Sequence, residues 1–296
     1  MAPPAAPLRP ILAALVAVAC LSVMDAFMKE AALAAGAYSA TLTRAVFGTS
    51  IAVPLWLASG ARWPGRQALR LHLLRGVLSA FMALTFFFAL TILPLAETIA
   101  ISFVAPVISL YLAAVFLHER IHPRAIIAAV LGLAGTLVIV GARIGTGGAA
   151  WDGGLALGLA AILTSTLLYA VNLVVARAQA QVAGPLEIAS FHSGVGSLVL
   201  ALGAPALFVL PGPGALGDIA AAAVMTVTGA VLLGWAYARA EAQVLVPLEY
   251  SAFVWAAILG WMVFAEPLTA PVAIGAALIV VGCLTATRRH PETSAL

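Results

Sequence analysis

The chain has 296 residues, of which 64% are hydrophobic and 8% charged, and its mean hydropathy is +1.14. A soluble domain carries about a quarter charged side chains to solvate its surface, so 14 basic and 11 acidic residues exclude a fold this size bathed in water alone. The net charge of +3 does not point to nucleic acid either, because the 13 arginines and Lys29 form no basic stripe with interleaved aromatics.

A helix rises about 1.5 Å per residue, so about 20 apolar residues cross a hydrocarbon core. Ten runs approach or exceed that length: Ile11–Ala35, Tyr38–Ala58, Leu71–Leu93, Ala96–Leu117, Pro123–Ala142, Gly154–Ala176, Leu186–Leu210, Ile219–Ala238, Gln243–Phe264 and Leu268–Thr287. Short breaks rich in glycine and proline separate them, among them Pro94, Gly184-Pro185, Pro211 to Gly214 and Pro267. None of these gaps holds a soluble domain. The first run follows Arg9 and contains Ala17-Val18-Ala19-Cys20, which lacks the leucine of a lipoprotein cleavage box, so it is expected to remain as a first helix. Cys20 and Cys283 lie inside apolar runs as small packing residues.

Arginine placement predicts the orientation. With a cytoplasmic amino terminus, Arg9, Arg62, Arg66, Arg70, Arg75, Arg120, Arg124, Arg177, Arg239, Arg288 and Arg289 flank the inner face, and only Arg143 lies in an outer loop. Basic flanks are retained in the cytoplasm, so both termini are expected inside.

The two halves match weakly at an offset of 147 residues. Leu117-His118-Glu119-Arg120-Ile121 closes the fourth span, and Phe264-Ala265-Glu266-Pro267-Leu268 closes the ninth. Five helices per half force the second half to enter the bilayer upside down, placing Glu119 at the cytoplasmic face and Glu266 at the outer one. Inverted repeats suit a transporter, in which one half rocks against the other around a midplane site.

The segment from Pro247-Leu248-Glu249-Tyr250 to Phe264-Ala265-Glu266-Pro267 resembles the ninth-helix signature of EamA-type carriers of the drug/metabolite transporter superfamily. Phe103-Val104-Ala105-Pro106 through Leu117-His118-Glu119-Arg120 is similar to the fourth-helix version. The family's glycine before the second glutamate is Ala265 here. The resemblance implies an all-α membrane fold of ten helices in two inverted repeats, at 11–143 and 152–288, with cytoplasmic segments at 1–10 and 289–296. It also implies a cavity lined by spans 1, 3, 4, 6, 8 and 9, with spans 5 and 10 as scaffold. Among subfamilies the chain looks closest to YddG-like amino-acid and metabolite exporters, while uptake carriers for S-adenosylmethionine or riboflavin share much of the pattern.

Charges within the hydrocarbon are the first candidates for chemistry, since each costs about 2.5–3.5 kcal/mol at a helix centre. Asp25 and Lys29 share a face of span 1, either as an intrahelical ion pair with Lys29 snorkelling outward, or with Asp25 as a substrate or proton site. Arg44 in span 2 and His192 in span 7 lie at similar depths from opposite faces, and each could bind a carboxylate or satisfy helix-end carbonyls. Glu249 opens span 9 as an amine or proton site, or as a carboxylate favoured by the helix dipole. Glu119 and Glu266 are expected to pair with basic residues, to cap neighbouring helices, or to gate.

Phe81, Phe86, Tyr169, Asn172, Trp235, Tyr250 and Trp255 fall on the cavity helices, with Thr98 and Ser102 on one face of span 4. Such a lining suits aromatic or neutral amino acids. Gly154 with Gly158, Gly132 with Gly135, and Gly275 with Gly282 imply close helix packing. No Walker loop, HExxH or nucleophile elbow is present, so no enzyme, cofactor or metal is expected. The expected partners are a small-molecule substrate and the lipid bilayer, not nucleic acid, and the chain is expected to be a monomer or homodimer.

Overall fold

The computed structural model describes residues 8–60, 62–117, 123–146, 153–237, 239, 245 and 248–287, which are mostly helical, with no strand among the described residues. In chain order the helices are α1 (Leu8–Ala35), α2 (Ala37–Ala58), α3 (Arg66–Leu90), α4 (Leu95–Ser102), α5 (Ala105–Leu117), α6 (Pro123–Thr146), α7 (Gly153–Ala180), α8 (Pro185–Ala201), α9 (Ala204–Leu207), α10 (Pro213–Tyr237), α11 (Ala252–Phe264) and α12 (Ala270–Thr287). Each of the ten apolar runs contains at least one of them. Among the described residues, five helical stretches are long and apolar enough to cross a membrane: Leu8–Ala35, Ala37–Ala58, Arg66–Leu90, Gly153–Ala176 and Pro213–Ala236.

Small residues face inward and large apolar ones face outward. Ala14, Ala17, Ala31, Ala40, Ala222 and Ala256 are fully buried or nearly so, whereas Leu133, Leu198, Val231, Trp261 and Met262 are each more than 60% exposed. Water would drive those large side chains inward, but lipid does not, and alanine-rich faces let backbones approach. One apolar cluster joins Met28, Leu90, Leu95, Ile99 and Ile219; a second joins Ile101, Val107, Ile139, Ile162 and Ile279.

The most extensive helix contacts all connect one half of the chain to the other: α1 with α10, α6 with α12, α3 with α7, and α2 with α8. Exchanging each helix with its counterpart in the other half turns α1–α10 into α7–α3 and maps α2–α8 and α6–α12 onto themselves. The packing is therefore pseudo-twofold. At the α6–α12 contact a Cβ on Gly135 would lie 2.4 Å from the Gly275 carbonyl oxygen, and one on Gly275 would lie 2.5 Å from Ile139. The close approach anticipated for these glycines thus occurs within one molecule.

Several helix boundaries differ from the apolar runs, three of them with consequences for the site. Span 4 is broken at Phe103-Val104, because Pro106 has no N–H to give to the Ser102 carbonyl and its ring crowds that oxygen. Span 7 ends at Ala201, where the Tyr38 hydroxyl donates to the Leu200 carbonyl and the Ser39 hydroxyl accepts from the Val209 N–H at 2.9 Å. Span 3 begins at Arg66 rather than Leu71, which sets Arg75 nine residues inside the helix instead of on its flank. Glu119 and Arg120, both chain ends, and the side chains of Arg143 and Cys283 lie outside the described residues.

Candidate functional site

Among the described residues, two polar centres stand out in the apolar bundle. The first lies where α1, α3 and α11 end and α4 begins. Lys29, buried at 4% exposure, donates to the Leu93 carbonyl at 2.9 Å and pairs with Glu266. The other carboxylate oxygen of Glu266 accepts the Leu95 N–H at 2.8 Å, satisfying an orphan donor in the first turn of α4 and opposing that helix's positive end. Gly260 makes room for it, since a Cβ there would stand 2.9 Å from that oxygen. A cavity of about 350 Å³ opens beside the pair, lined by Lys29, Thr91, Leu93, Glu97, Glu266 and Thr269 among others. One ion pair thus ties α1, the α3–α4 turn and α11 together.

Lys29 is held inside the protein, where a carboxylate and a carbonyl from other segments meet it. Glu266 thus pairs with a basic side chain and bonds the first turn of a neighbouring helix.

The second centre lies deeper, between α1, α2, α3, α7 and α8. Asp25 and Arg44 interact electrostatically, and the Arg44 guanidinium sits 5.2 Å from the Phe87 ring centroid. The charges that act on His192 are the guanidiniums of Arg75 and Arg44. Arg44 Nε and His192 Nδ1 are inaccessible to solvent and have no hydrogen-bond partner, so neither satisfies a helix-end carbonyl through that atom. Unpaired buried polar atoms are rare and call for a reason.

Arg75 heads a chain of hydrogen bonds whose direction is fixed by chemistry. Its Nε donates to Asn172 Oδ1 at 3.1 Å, and a terminal nitrogen donates to Gln179 Oε1 at 2.6 Å. Arginine is donor only, so Gln179 turns its oxygen to Arg75 and its Nε2 to His72 Nδ1 at 2.6 Å. The His72 proton is then on Nε2, facing Glu187 Oε1 at 2.7 Å. Asn172 completes the path by donating to Ser79 Oγ at 3.1 Å. His72 is fully buried and stacks on Phe191 with ring centroids 4.5 Å apart.

The profile of the EamA-like transporter family matches residues 8–141 and again residues 156–288. The chain belongs to the EamA-like transporter family. Two relatives, each named pseudopaline exporter CntI, come from Pseudomonas aeruginosa strains UCBPP-PA14 and PAO1. They are 26% identical over 279 residues and 27% identical over 282, covering 94% of this chain and 95% of each relative. A solved crystal structure superposes with a TM-score of 0.62 at 23% identity, covering 94% of this chain and 96% of that one, which is a likeness of fold. The chain is thus a membrane transporter of the drug/metabolite superfamily and not an enzyme.

Within this EamA fold the remaining candidates divide. Tyr169 interacts electrostatically with Glu249, and Tyr250 meets Phe103 edge to face, bringing spans 4, 6 and 9 together. Phe86 packs on Phe87 at 5.4 Å and joins both apolar clusters. Thr98 and Ser102 give their hydroxyl protons to the Pro94 and Thr98 carbonyls of their own helix. Phe81, Trp235 and Trp255 are 47%, 38% and 37% exposed. Trp235 sits near the end of α10 beneath the Arg239 guanidinium, apart from the deep centre.

The sequence reading missed His72, Gln179 and Glu187 and misplaced Arg75. A usable signal was present. His72, Arg75 and Ser79 recur at three- and four-residue spacing, and Ser165, Asn172 and Gln179 every seven residues. Those intervals put a polar stripe on one face of each of two adjacent apolar helices.

Proposed function

We propose that the chain is a secondary exporter of small organic metabolites with amino-acid-type head groups, working by alternating access in the bacterial inner membrane. The observation that carries this reading is the meeting of Asp25, Arg44, Arg75, Asn172 and His192, drawn from both halves, deep in helices that are otherwise apolar. Ionisable groups at such depth mark a substrate or ion path. The relatives named as pseudopaline exporters support outward movement of a small metabolite.

The proposed topology has ten spans in two inverted five-helix repeats, 11–143 and 152–288, with both termini in the cytoplasm. The double family match and the pseudo-twofold helix pairing support it. In that topology the Lys29–Glu266 pair closes the outer end and must part for release, while Glu119 holds the equivalent place at the cytoplasmic end. Asp25, Glu249 and His192 are the coupling groups, and the aromatic lining favours aromatic and neutral amino acids.

The test is flux in proteoliposomes loaded with radiolabelled amino acids, with and without a pH gradient, for the natural chain and for Asp25→Asn and Glu249→Gln. Export that loses its pH dependence in either variant supports the coupling role. Unchanged flux and pH profile in both removes it. Net uptake of S-adenosylmethionine or riboflavin in the same vesicles would assign the chain to uptake instead.

A further inference from the structure

Building on the exporter reading, we infer that Arg75, flanked by His192 and Arg44, is the subsite for a carboxylate of the transported metabolite, and that Asn172 keeps it free of a protein carboxylate. Asn172 stands 147 positions after Asp25, so the two occupy equivalent places in the first helices of their halves. Each faces an arginine: Asp25 acts on Arg44, and Asn172 accepts from Arg75 at 3.1 Å. Asparagine has the shape of aspartate without its charge. The two positions are therefore equivalent in place and unequal in charge, although their arginines come from α2 and α3, which the pseudo-twofold does not exchange.

The surroundings keep that imbalance. The second acceptor on Arg75, Gln179, is also a neutral amide. Glu187 lies beyond both Gln179 and His72, and Glu249 acts on Tyr169. His192 lies within the field of both guanidiniums, and its Nδ1 and Arg44 Nε are buried without partners. A guanidinium is a planar fork that matches a carboxylate with two parallel hydrogen bonds. A ligand carboxylate between Arg75, Arg44 and His192 would give the orphan Arg44 donor an acceptor. The relay through Gln179 fixes the fork before the ligand arrives, which lowers the entropy lost on binding.

The experiment uses the full chain in lipid nanodiscs and acid–amide probe pairs: L-phenylalanine with L-phenylalaninamide, L-histidine with L-histidinamide, and glutarate with glutaramide. Binding is read by thermal shift and calorimetry. The expected result is an acid bound about tenfold or more tightly than its amide in at least one pair, as a charge-assisted fork implies. Asn172→Asp should erase that preference; Arg75→Gln should erase it too, and Arg75→Lys should restore part. Equal binding of acid and amide in every pair overturns the subsite, as does a preference that survives in folded Asn172→Asp or Arg75→Gln protein. Flux of the same probes separates the two ideas. Acid-selective binding without transmembrane flux supports the subsite and sinks the exporter reading, whereas flux without acid preference sinks the subsite alone.

Discussion

Phe103 and Tyr250, 147 residues apart, meet edge to face with their ring centroids 5.2 Å apart, each at the two-residue break in its own half's helix. The breaks are alike in their hydrogen bonding: the Val104 N–H reaches the Ile101 carbonyl at 3.2 Å, and the Ser251 N–H reaches the Leu248 carbonyl at 3.0 Å. Interrupted helices at a repeat interface free backbone groups in the middle of a membrane, where a pathway can use them. In a double-mutant cycle, Phe103→Leu and Tyr250→Leu should couple by about 1 kcal/mol beyond their separate effects. Unfolding in mixed micelles measures this, and additive effects would mean that the rings touch without stabilising one another.

Glu266→Gln should weaken the joint between α1, the α3–α4 turn and α11. Removing one partner of a buried ion pair costs about 3–5 kcal/mol, because the other charge is left uncompensated. Thr91 lines the adjoining cavity, so a Thr91→Cys reporter should react faster with a membrane-impermeant maleimide in the Glu266→Gln background than in the natural one. An unchanged labelling rate would show that the pair does not control access at this end.

Ala265 has φ 53° and ψ 32°, the left-handed conformation that ends α11 and lets the Glu266 N–H reach the Gly260 carbonyl at 2.9 Å. A Cβ is unfavourable there by about 1 kcal/mol, and glycine is not. Ala265→Gly should therefore raise the melting temperature by about 2–4 °C in a chain of this size. A fall would show that restricting the unfolded chain matters more than the strain relieved.

Gly135→Ala and Gly141→Ala make a matched pair on α6. The first puts a methyl 2.4 Å from the Gly275 carbonyl oxygen; the second meets nothing within 4 Å. Overpacking costs about 1–3 kcal/mol, whereas alanine in an open helical site gains up to about 1 kcal/mol over glycine. Fluorescence-detected size exclusion after heating should place the two variants on opposite sides of the natural chain.

Hydropathy made the helices legible because lipid imposes length and composition together. Span 4 reads as one run, although Pro106 stands in it as the cause of its break, and Glu266 draws attention by its place at a helix end. Depth was harder to read. Arg75 resembled a cytoplasmic flank because Arg62, Arg66 and Arg70 precede it, and only the helix start at Arg66 reveals that it points into the protein. His72 and Gln179 were overlooked for a different reason: each shows as part of a polar stripe on its own helix, but the two are 107 residues apart in sequence and no single helix carries the whole network.

The Glu266 carboxylate that pairs with Lys29 lies 237 residues downstream, after most of the helices have been made. While the ribosome is still working, an ammonium already threaded into lipid has no Glu266 to meet, and α1, α2, α3 and α6 wait for the later helices they pack against most extensively. Nascent chains arrested before residue 266 should therefore be bound by membrane chaperones or cleared by proteases. Synthesis past residue 266 should release them.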